Sequence, residues 1–218
     1  MEILRKKGRL EFFKNRASFG TAFQIHAMEQ LSLPGLAPPP LSTIFVALMV
    51  EKAAARQVVG LGEGLSRGLG LKCKLRPQHI LHVTLKYLGS YAEVPWHLVE
   101  DAKKHCATAA RFARSFEATF DQAMSFNGRP NRHPLVLTGR RRNSDLDRLH
   151  RVLAQAFGTG GSKTAGGFLP HVTFGYGPTP FDVLEVEPVR WDVTEILLIR
   201  SLVGKTEYQE LGRWPLGQ

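Results

Sequence analysis

Short apolar runs of strand length alternate along this chain with longer segments in which apolar residues recur at helical spacing. The runs are rich in β-branched and aliphatic residues, which strands favour. The longest uninterrupted apolar run, 44–50, is itself only of strand length. The pattern predicts strands at 43–50, 82–89, 115–126, 133–139, 171–176, 189–203 and 207–216.

Three segments show apolar residues at helical spacing. Segment 53–70 has this spacing, although its glycines disfavour a helix. A second helix is predicted to open at Pro95, a residue type common at helix starts, and to run to about Phe112. Its apolar side is predicted to comprise Trp96, Val99, Ala102, Cys106, Ala109 and Phe112.

The third helix is predicted to start at Ser144, whose hydroxyl can cap it, with Asp147 three residues on as in a capping box. Gly158 is predicted to end this helix. Two well-formed helices beside six or seven strands, with short connections between them, indicate the α+β class. The buried side of the third helix is predicted to comprise Leu146, Leu149, Leu153 and Ala156.

The composition of the 218 residues is that of a globular protein, with 43% hydrophobic and 22% charged residues. It excludes wholesale disorder and fibrous repeats, and no run approaches the roughly 18 apolar residues of a membrane-spanning helix. The basic first residues lack the apolar stretch of a secretory signal. Because Cys73 and Cys106 have neither the number nor the spacing of a disulfide framework, we expect reduced thiols in a cytoplasmic protein.

A proline-rich stretch, PGLAPPP at 34–40, separates the first part of the chain from the rest. Such a stretch disfavours both helix and central strand and behaves as an extended linker. We therefore expect residues 1–40 to be an N-terminal extension with its linker, and residues 41–218 to form one domain. For the extension, the alternatives are a dispensable segment, which we favour, a docking arm, a frayed helix, or a stretch upstream of a start at Met28.

The net charge of +10 indicates an anionic partner, and it leaves nucleic acids, phosphorylated metabolites and membrane surfaces open. The charge is concentrated in two places. Residues 1–27 contain six basic and two acidic residues, and residues 128–151 contain seven arginines and two aspartates. The basicity is therefore not a general property of the predicted domain.

One short pattern occurs twice, as HVTLKYLG from His82 and as HVTFGYGP from His171. In a strand, residues i and i+2 share a face. His82 and Thr84 therefore point one way, while the apolar residues between and after them point into the core. His171 and Thr173 repeat this arrangement in the second copy. If an approximate internal twofold relates the copies, two histidines and two threonines meet in one cleft.

Two imidazoles beside two hydroxyls suit cleavage or transfer at a phosphate ester. One histidine can take a proton from the attacking water or hydroxyl while the other gives a proton to the leaving oxygen. The hydroxyls can donate hydrogen bonds to the non-bridging phosphate oxygens. A single His-x-Thr is a weak signal, since structural histidines are common in strands, but two matched copies favour catalysis. This chemistry requires no cofactor, and the other histidines lack the spacing of metal ligands, so we expect no metal site.

The doubled pattern resembles the two-histidine (2H) phosphoesterase superfamily. Longer stretches resemble its bacterial RNA 2′,3′-cyclic phosphodiesterases, also called 2′-5′ RNA ligases: LRPQHILHVTLKYLGS, GFLPHVTFGYG and VTEILLIRSLVGKTEYQELGRWPL. The resemblance implies that residues 41–218 form a bilobal fold, in which two antiparallel sheets with helices outside each offer one motif to a pseudo-twofold central cleft. It also implies metal-independent opening of a 2′,3′-cyclic phosphate to a 2′-phosphate, with ATP-independent ligation as the reverse reaction. The expected partner is RNA or a cyclic nucleotide rather than a membrane, and we expect a monomer.

The same resemblance implies a role for each motif residue. His82 corresponds to the general acid that protonates the leaving oxygen, and His171 to the general base that activates water. Thr84 and Thr173 correspond to the residues that hold the phosphate. Many bacterial members follow the second motif with Ala-Arg, whereas this chain has Gly-Tyr, so Tyr176 stands where that arginine would contact the substrate.

Three residues outside the four motif positions are further candidates for substrate contacts: Lys86, Tyr176 and Arg140. Lys86 lies on the motif face if its strand stays regular, where it would add positive potential, and otherwise lies in solvent. Tyr87 and Tyr176 have the opposite parity and are expected in the core, unless a bulge at Gly175 turns Tyr176 into the cleft to stack on a base. Arg140 ends a predicted strand in the arginine-rich stretch, where it could contact RNA phosphates or form part of a solvated turn.

Two other functions are consistent with the same sequence. One is a 2H phosphoesterase acting on another cyclic phosphate metabolite. The other is a non-catalytic RNA-binding module that retains the fold and its basic surface. A binding module has no need of both histidines together with both threonines, and all four are present.

Overall fold

The computed structural model describes residues 41–70, 72–158 and 167–217. The extension 1–40 lies outside these residues, so the domain boundary placed at residue 41 stays a prediction. The described helices are α1 (Lys52–Gly68), α2 (Trp96–Arg111) and α3 (Ser144–Ala156), with a short 3₁₀ turn at Gln78–Ile80. The described strands are β1 (Ser42–Met49), β2 (Lys74–Leu75), β3 (His82–Tyr91), β4 (Phe116–Ser125), β5 (His133–Thr138), β6 (His171–Gly177), β7 (Leu184–Val193), β8 (Glu195–Leu202) and β9 (Glu207–Pro215).

The strands of the described chain form one antiparallel sheet with the order β7-β4-β5-β6-β3-β1-β8-β9, and β2 pairs with β6. Strands β3 and β6 meet at its centre through one residue pair, Val83 with Val172. The sheet therefore has two halves, each of which contains one motif strand. The α+β class and the antiparallel architecture are confirmed, with the difference that this pair joins the two expected sheets into one.

The three helices cover the same face of the sheet. Their buried residues belong to one large core, which also contains alternate residues of the strands. In β1, Ile44 and Val46 point into this core, whereas Phe45 and Ala47 belong to a small separate cluster. Because successive strand residues point to opposite faces, the small cluster marks the face that the described helices leave uncovered.

The two halves of the sheet repeat one arrangement. Strand β1 is followed by α1 and the motif strand β3, and strand β5 is followed by α3 and the motif strand β6. In both halves the motif strand pairs antiparallel with the strand that precedes the helix. The repeat places the two motif strands side by side, as the expected pseudo-twofold requires.

Helix α1 packs closely behind the second motif strand. A Cβ atom at Gly62 would lie 3.0 Å from side-chain atoms of both Leu75 and Phe174. That separation is shorter than an ordinary carbon–carbon contact, so the absence of a side chain lets α1 approach β2 and β6. At this position the helix-disfavouring glycine has a packing role.

The cap of α3 differs from the sequence prediction by one residue. The side-chain oxygen of Asn143 accepts hydrogen bonds from the backbone N–H groups of Asp145 and Leu146, at 3.1 and 3.0 Å. Asn143 is therefore the N-cap, and Ser144 is the first helical residue. Its predicted buried leucines, Leu146, Leu149 and Leu153, are all buried.

Two other predictions need correction. Segment 189–203 contains the end of one strand and the whole of another, because the chain leaves the ladder at Thr194 between β7 and β8. In α2, the middle of the predicted apolar side is buried, but Trp96 and Phe112 are 56% and 66% exposed. These two residues lie at the two ends of the helix, outside the turns that contact the core.

Both cysteines are free thiols, as predicted. Cys106 lies in the core on the buried side of α2, and burial raises the pKa of its thiol to about 12. Cys73 is only partly buried. Among the described residues, none of the helices combines the length and the apolar character that crossing a membrane requires.

Candidate active site

Both motif strands alternate between core and surface residues. Val83 and Leu85 of β3 are 1% and 3% exposed, and Val172 and Phe174 of β6 are 0% and 2% exposed. The residues between them point to the face that the helices leave uncovered and are partly buried. These residues are His82, Thr84, His171 and Thr173.

The pair formed by Val83 and Val172 brings the two motifs together. Because the strands run antiparallel, residues before Val83 lie beside residues after Val172. His82 is therefore on the Thr173 side of the pair, and His171 is on the Thr84 side. This register places each histidine beside the threonine of the other motif, on the face that the helices leave uncovered.

Both imidazoles are anchored in the same way. Nδ1 of His82 lies 2.8 Å from the carbonyl oxygen of Ile80, and Nδ1 of His171 lies 2.8 Å from the carbonyl oxygen of Leu169. A carbonyl oxygen only accepts hydrogen bonds, so each Nδ1 must carry the proton it donates. In a neutral ring, Nε2 is then the unprotonated nitrogen, which can accept a proton or, once charged, donate one.

An aromatic side chain lies against each histidine. The Phe45 ring stacks on His82 with 4.9 Å between centroids, and the Tyr208 ring approaches the same imidazole edge-on at 5.5 Å. The Phe126 ring packs against His171 edge-on at 4.8 Å. These contacts restrict the imidazoles and remove water from their surroundings.

The pKa values of both histidines are lowered. Burial, with smaller contributions from the charges of Arg76 and His171, lowers the pKa of His82 to about 4 against the opposing hydrogen bond to Ile80. Burial also lowers the pKa of His171, against its hydrogen bond to Leu169. Both imidazoles are consequently neutral in the unliganded protein at neutral pH.

An arginine lies beside the first histidine. Nη2 of Arg76 donates to the hydroxyl of Tyr208 at 3.0 Å, and Nη1 lies 3.5 Å from the hydroxyl of Tyr176. The Tyr208 hydroxyl in turn lies 3.3 Å from Nδ1 of His82. One chain of polar contacts thus joins Arg76 to the imidazole.

Tyr176 lies near the site rather than in the core. A register shift between β5 and β6 places Leu135 opposite Gly175 but Val136 opposite Thr173, so the strand bulges at the residue between them. Beyond this bulge, Tyr176 contacts Arg76 through its hydroxyl. The guanidinium of Arg132 lies over its ring, 4.8 Å from the centroid. These contacts match the alternative in which a bulge turns Tyr176 toward the cleft, and not the expected position in the core.

A second register shift reverses the predictions for Lys86 and Tyr87. In β1, Ala47 lies opposite Thr84, but Val46 lies opposite Lys86, so β3 bulges between them. Lys86 therefore shares the helix-covered face with Val46. The pKa of the nearby His150 is lowered, mainly by burial of its imidazole and to a smaller extent by the charge of Lys86. Tyr87 is 41% exposed and hydrogen-bonds to Ser90 instead of packing in the core.

Arg140 is held by carboxylates rather than by motif residues. Its backbone N–H donates to Asp121 at 2.7 Å, and its guanidinium pairs with Glu185 at 3.0 Å and with Asp121 at 3.8 Å. Its neighbour Arg142 pairs with Asp147 of α3 at 2.8 Å. Two of the seven arginines of this stretch, Arg140 and Arg142, are thus paired with carboxylates within the protein.

The part of the chain that the structure describes contains no group of three or more histidine, cysteine or carboxylate side chains arranged to hold a metal ion. The side chains that meet at the site are two imidazoles, two threonine hydroxyls, two phenols and a guanidinium.

A family model described as the 2′-5′ RNA ligase superfamily matches residues 53–205, which contain both motifs and most of the chain. The chain belongs to this superfamily. Its membership confirms the resemblance drawn from the doubled motif, and it indicates an enzyme that processes phosphodiesters.

Solved structures share the fold of this 2′-5′ RNA ligase superfamily member. TT0787 of Thermus thermophilus is 23% identical, with a TM-score of 0.62 over 81% of this chain and 99% of that protein. LigT of E. coli, complexed with 3′-AMP, is 22% identical, with a TM-score of 0.63 over 82% of this chain and 99% of LigT. No protein with a curated description matches the chain.

The sequence pattern did not reveal all the residues around the site of this superfamily member. Arg76 lies only six residues before His82 in the sequence, and this short separation was the sequence feature that could have indicated its place at the site. Tyr208 is 126 residues away from His82 in sequence, and no local pattern links the two. Arg76 belongs to the site because β2 pairs with the motif strand β6, and Tyr208 belongs to it because its side chain on β9 reaches His82 although β8 and β1 lie between β9 and β3.

Proposed function

We propose that this protein hydrolyses 2′,3′-cyclic phosphates, at RNA ends or on nucleotides, to a 2′-phosphomonoester without a metal ion or cofactor. The observation that carries the proposal is the matched pair of imidazoles, His82 and His171, each anchored through Nδ1 to a backbone carbonyl. In an in-line displacement the attacking and leaving oxygens lie on opposite sides of phosphorus. Two proton carriers on opposite sides of one residue pair match that requirement.

In the proposed reaction, Nε2 of His171 accepts a proton from a water molecule whose oxygen forms a bond to phosphorus. The bond from phosphorus to the 3′-oxygen breaks, and this oxygen takes the proton from Nε2 of His82. The 2′-oxygen stays bonded to phosphorus, so the product is the 2′-phosphomonoester. His171 then holds the additional proton and His82 lacks one, and exchange with solvent restores both.

The hydroxyls of Thr84 and Thr173 supply hydrogen bonds to the phosphate. Within the described residues, neither hydroxyl is committed to a protein partner. Each lies two positions along its strand from a histidine, on the same face. In the proposed site they donate to the non-bridging oxygens, whose negative charge grows in the transition state.

The general-acid role requires a proton on His82, whose pKa is about 4 in the unliganded protein. The cyclic phosphate is an anion, and an anion next to an imidazole stabilises its charged form. Substrate binding therefore raises the pKa of His82 and prepares it to protonate the leaving oxygen.

With the 5′-hydroxyl of a second RNA in place of water, the same displacement forms a 2′-5′ linkage.

The relatives support a nucleotide or RNA end as the substrate. LigT of E. coli has been solved with 3′-AMP and with ATP. The chain shares that fold, and its family is the 2′-5′ RNA ligase superfamily. These similarities favour a nucleotide substrate over an unrelated cyclic phosphate metabolite.

The test is hydrolysis of 2′,3′-cyclic AMP and of a short RNA ending in a 2′,3′-cyclic phosphate, with the position of the product phosphate determined by phosphorus NMR. His82→Ala and His171→Ala are each expected to lower the rate by about 10²- to 10⁴-fold. His97→Ala is the matched control, since His97 is an exposed histidine of α2. EDTA is expected to leave the rate unchanged.

Each contrary outcome has a defined meaning. Full activity of either histidine variant would overturn the two-histidine mechanism, and loss of activity with EDTA would overturn the metal-free reaction. A 3′-phosphate product would reverse the identity of the leaving oxygen. Binding of the RNA without any turnover would point to the non-catalytic module instead.

A further inference from the structure

Arg76 occupies the point where the two motif strands separate. Beyond the pair that joins β3 to β6, the edge of β6 is taken by β2, and the backbone N–H of Arg76 donates to the carbonyl oxygen of Phe174. The preceding residue, Leu75, packs against the main core. Since neighbouring residues of an extended segment point to opposite sides, the Arg76 side chain faces the open side of the sheet.

The surroundings of the Arg76 guanidinium are polar but uncharged. Its two terminal nitrogens contact the hydroxyls of Tyr176 and Tyr208. Its Nε is buried and has no hydrogen-bond partner. No carboxylate of the described residues forms an ion pair with it. The partly buried guanidinium of Arg76 thus keeps one N–H donor without an acceptor. Most other buried polar side-chain groups of the described residues have a hydrogen-bond partner.

Such a cation is unfavourable on its own, because water has been removed without a counter-charge to replace it. An arginine fork recognises the oxygens of a phosphate through parallel charge-assisted hydrogen bonds. The hydroxyl of Tyr208 touches both this guanidinium and Nδ1 of His82. An anion that satisfies Arg76 therefore lies within reach of the first histidine.

We propose that Arg76, braced by Tyr176 and Tyr208, is the anion-binding residue of this site and takes a non-bridging oxygen of the cyclic phosphate. This inference deepens the proposed function and rests on it. The two tyrosines are positioning residues, because they hold the guanidinium and do not themselves need to touch the phosphate. The group bound has the chemistry of a phosphate ester or of inorganic phosphate.

The inference is tested by calorimetric titration of the folded full-length protein with inorganic phosphate and with 2′-AMP. Arg76→Met is expected to weaken both by about 10- to 100-fold, the range for losing a charge-assisted hydrogen bond. Arg76→Lys is expected to recover part of the affinity, because it keeps the charge but loses the fork. In hydrolysis, Arg76→Met is expected to raise KM, because the bound phosphate loses a charge-assisted hydrogen bond.

Arg200→Met is the matched control. Like Arg76, Arg200 is held by a hydroxyl and an amide oxygen, those of Ser42 and Gln209. It lies opposite Ile44, whose side chain is in the main core, and therefore on the helix-covered face. Its replacement is expected to leave phosphate affinity unchanged. A merely structural role of Arg76 would alter the thermal stability without weakening the binding of phosphate.

The failures of the two proposals are distinguishable. If Arg76→Met binds both anions as tightly as the wild type while the histidine variants are inactive, only the role of Arg76 is wrong. If the histidine variants remain active, the two-histidine reaction is wrong, whatever Arg76 binds. Should Arg76→Met fail to fold, Arg76→Lys carries the test, and unchanged affinity for phosphate and 2′-AMP in that variant would overturn the inference.

Discussion

Val83 lies directly opposite Val172 in the one backbone pair that joins strands β3 and β6 in the described sheet. Both side chains are in the main core, 1% and 0% exposed. The histidines of the two motifs flank this pair on opposite sides of it. The relative position of the two imidazoles thus depends on how firmly two valines pack.

Val172→Ala is expected to lower the free energy of unfolding by about 2 kcal/mol, because it removes two buried methyl groups and leaves a cavity. Urea denaturation followed by circular dichroism measures the change. Val183→Ala is the matched control, since Val183 is 50% exposed, and it should change the free energy by less than about 0.5 kcal/mol. Equal effects of the two substitutions would show that the pair is not tightly packed.

Thr84→Val and Thr173→Val are each expected to lower kcat/KM for a 2′,3′-cyclic nucleotide by about 10²-fold, the usual cost of removing one donor to a developing oxyanion. Valine keeps the β-branched shape, so the strands should stay folded. The control is Thr43→Val, a threonine of the neighbouring strand whose hydroxyl bonds to Ser90. Loss of activity in the control as well would mean that the effect is not local to the phosphate.

The pH dependence of kcat/KM follows from the lowered pKa values of the two histidines. Burial keeps His82 neutral down to about pH 4 and also lowers the pKa of His171 from its usual 6.5. The proposed reaction needs His82 protonated and His171 neutral, so kcat/KM is expected to be highest below pH 6.5 and to fall as pH rises above it. Because the bound anion raises the pKa of His82, the kcat profile is expected to extend to higher pH. A kcat/KM that rises steadily to pH 8 would contradict His82 as the general acid.

Asn143→Ala is expected to lower the free energy of unfolding by about 1 to 2 kcal/mol, because two backbone N–H groups at the start of α3 lose their acceptor. The Asn143 side chain also donates to the carbonyl oxygen of Glu117 at 2.8 Å. Ser144→Ala should have little effect, since Ser144 is already helical and exposed. Thermal or urea unfolding of the two variants decides which residue caps the helix.

The faces of the motif strands could be predicted from sequence because strand alternation has a period of two residues and needs no distant information. The doubled pattern placed His82 and Thr84 on one face, and the structure places them there. The same reasoning failed a few residues later, at Lys86 and Tyr87. A bulge depends on how β3 pairs with β1, and one additional residue in that pairing turns every later side chain to the other face.

Arg140 shows the same limit for charges. The sequence places it in an arginine-rich stretch and so suggests a free cation. In the fold, Asp121 and Glu185 come from neighbouring strands and pair with it. Net charge along a segment does not reveal which charges are neutralised across a sheet.

The sequence by itself determined the local features: the α+β class, the alternating motif strands, the two candidate histidines and the family they resemble. These features depend on residues within a few positions of one another. Only the tertiary structure decided which groups surround the imidazoles, because Arg76, Tyr208 and Phe45 arrive from three separate strands or their ends. Their positions around His82 depend on strand order and register, and both are set by the packing of the whole core rather than by any short stretch of chain.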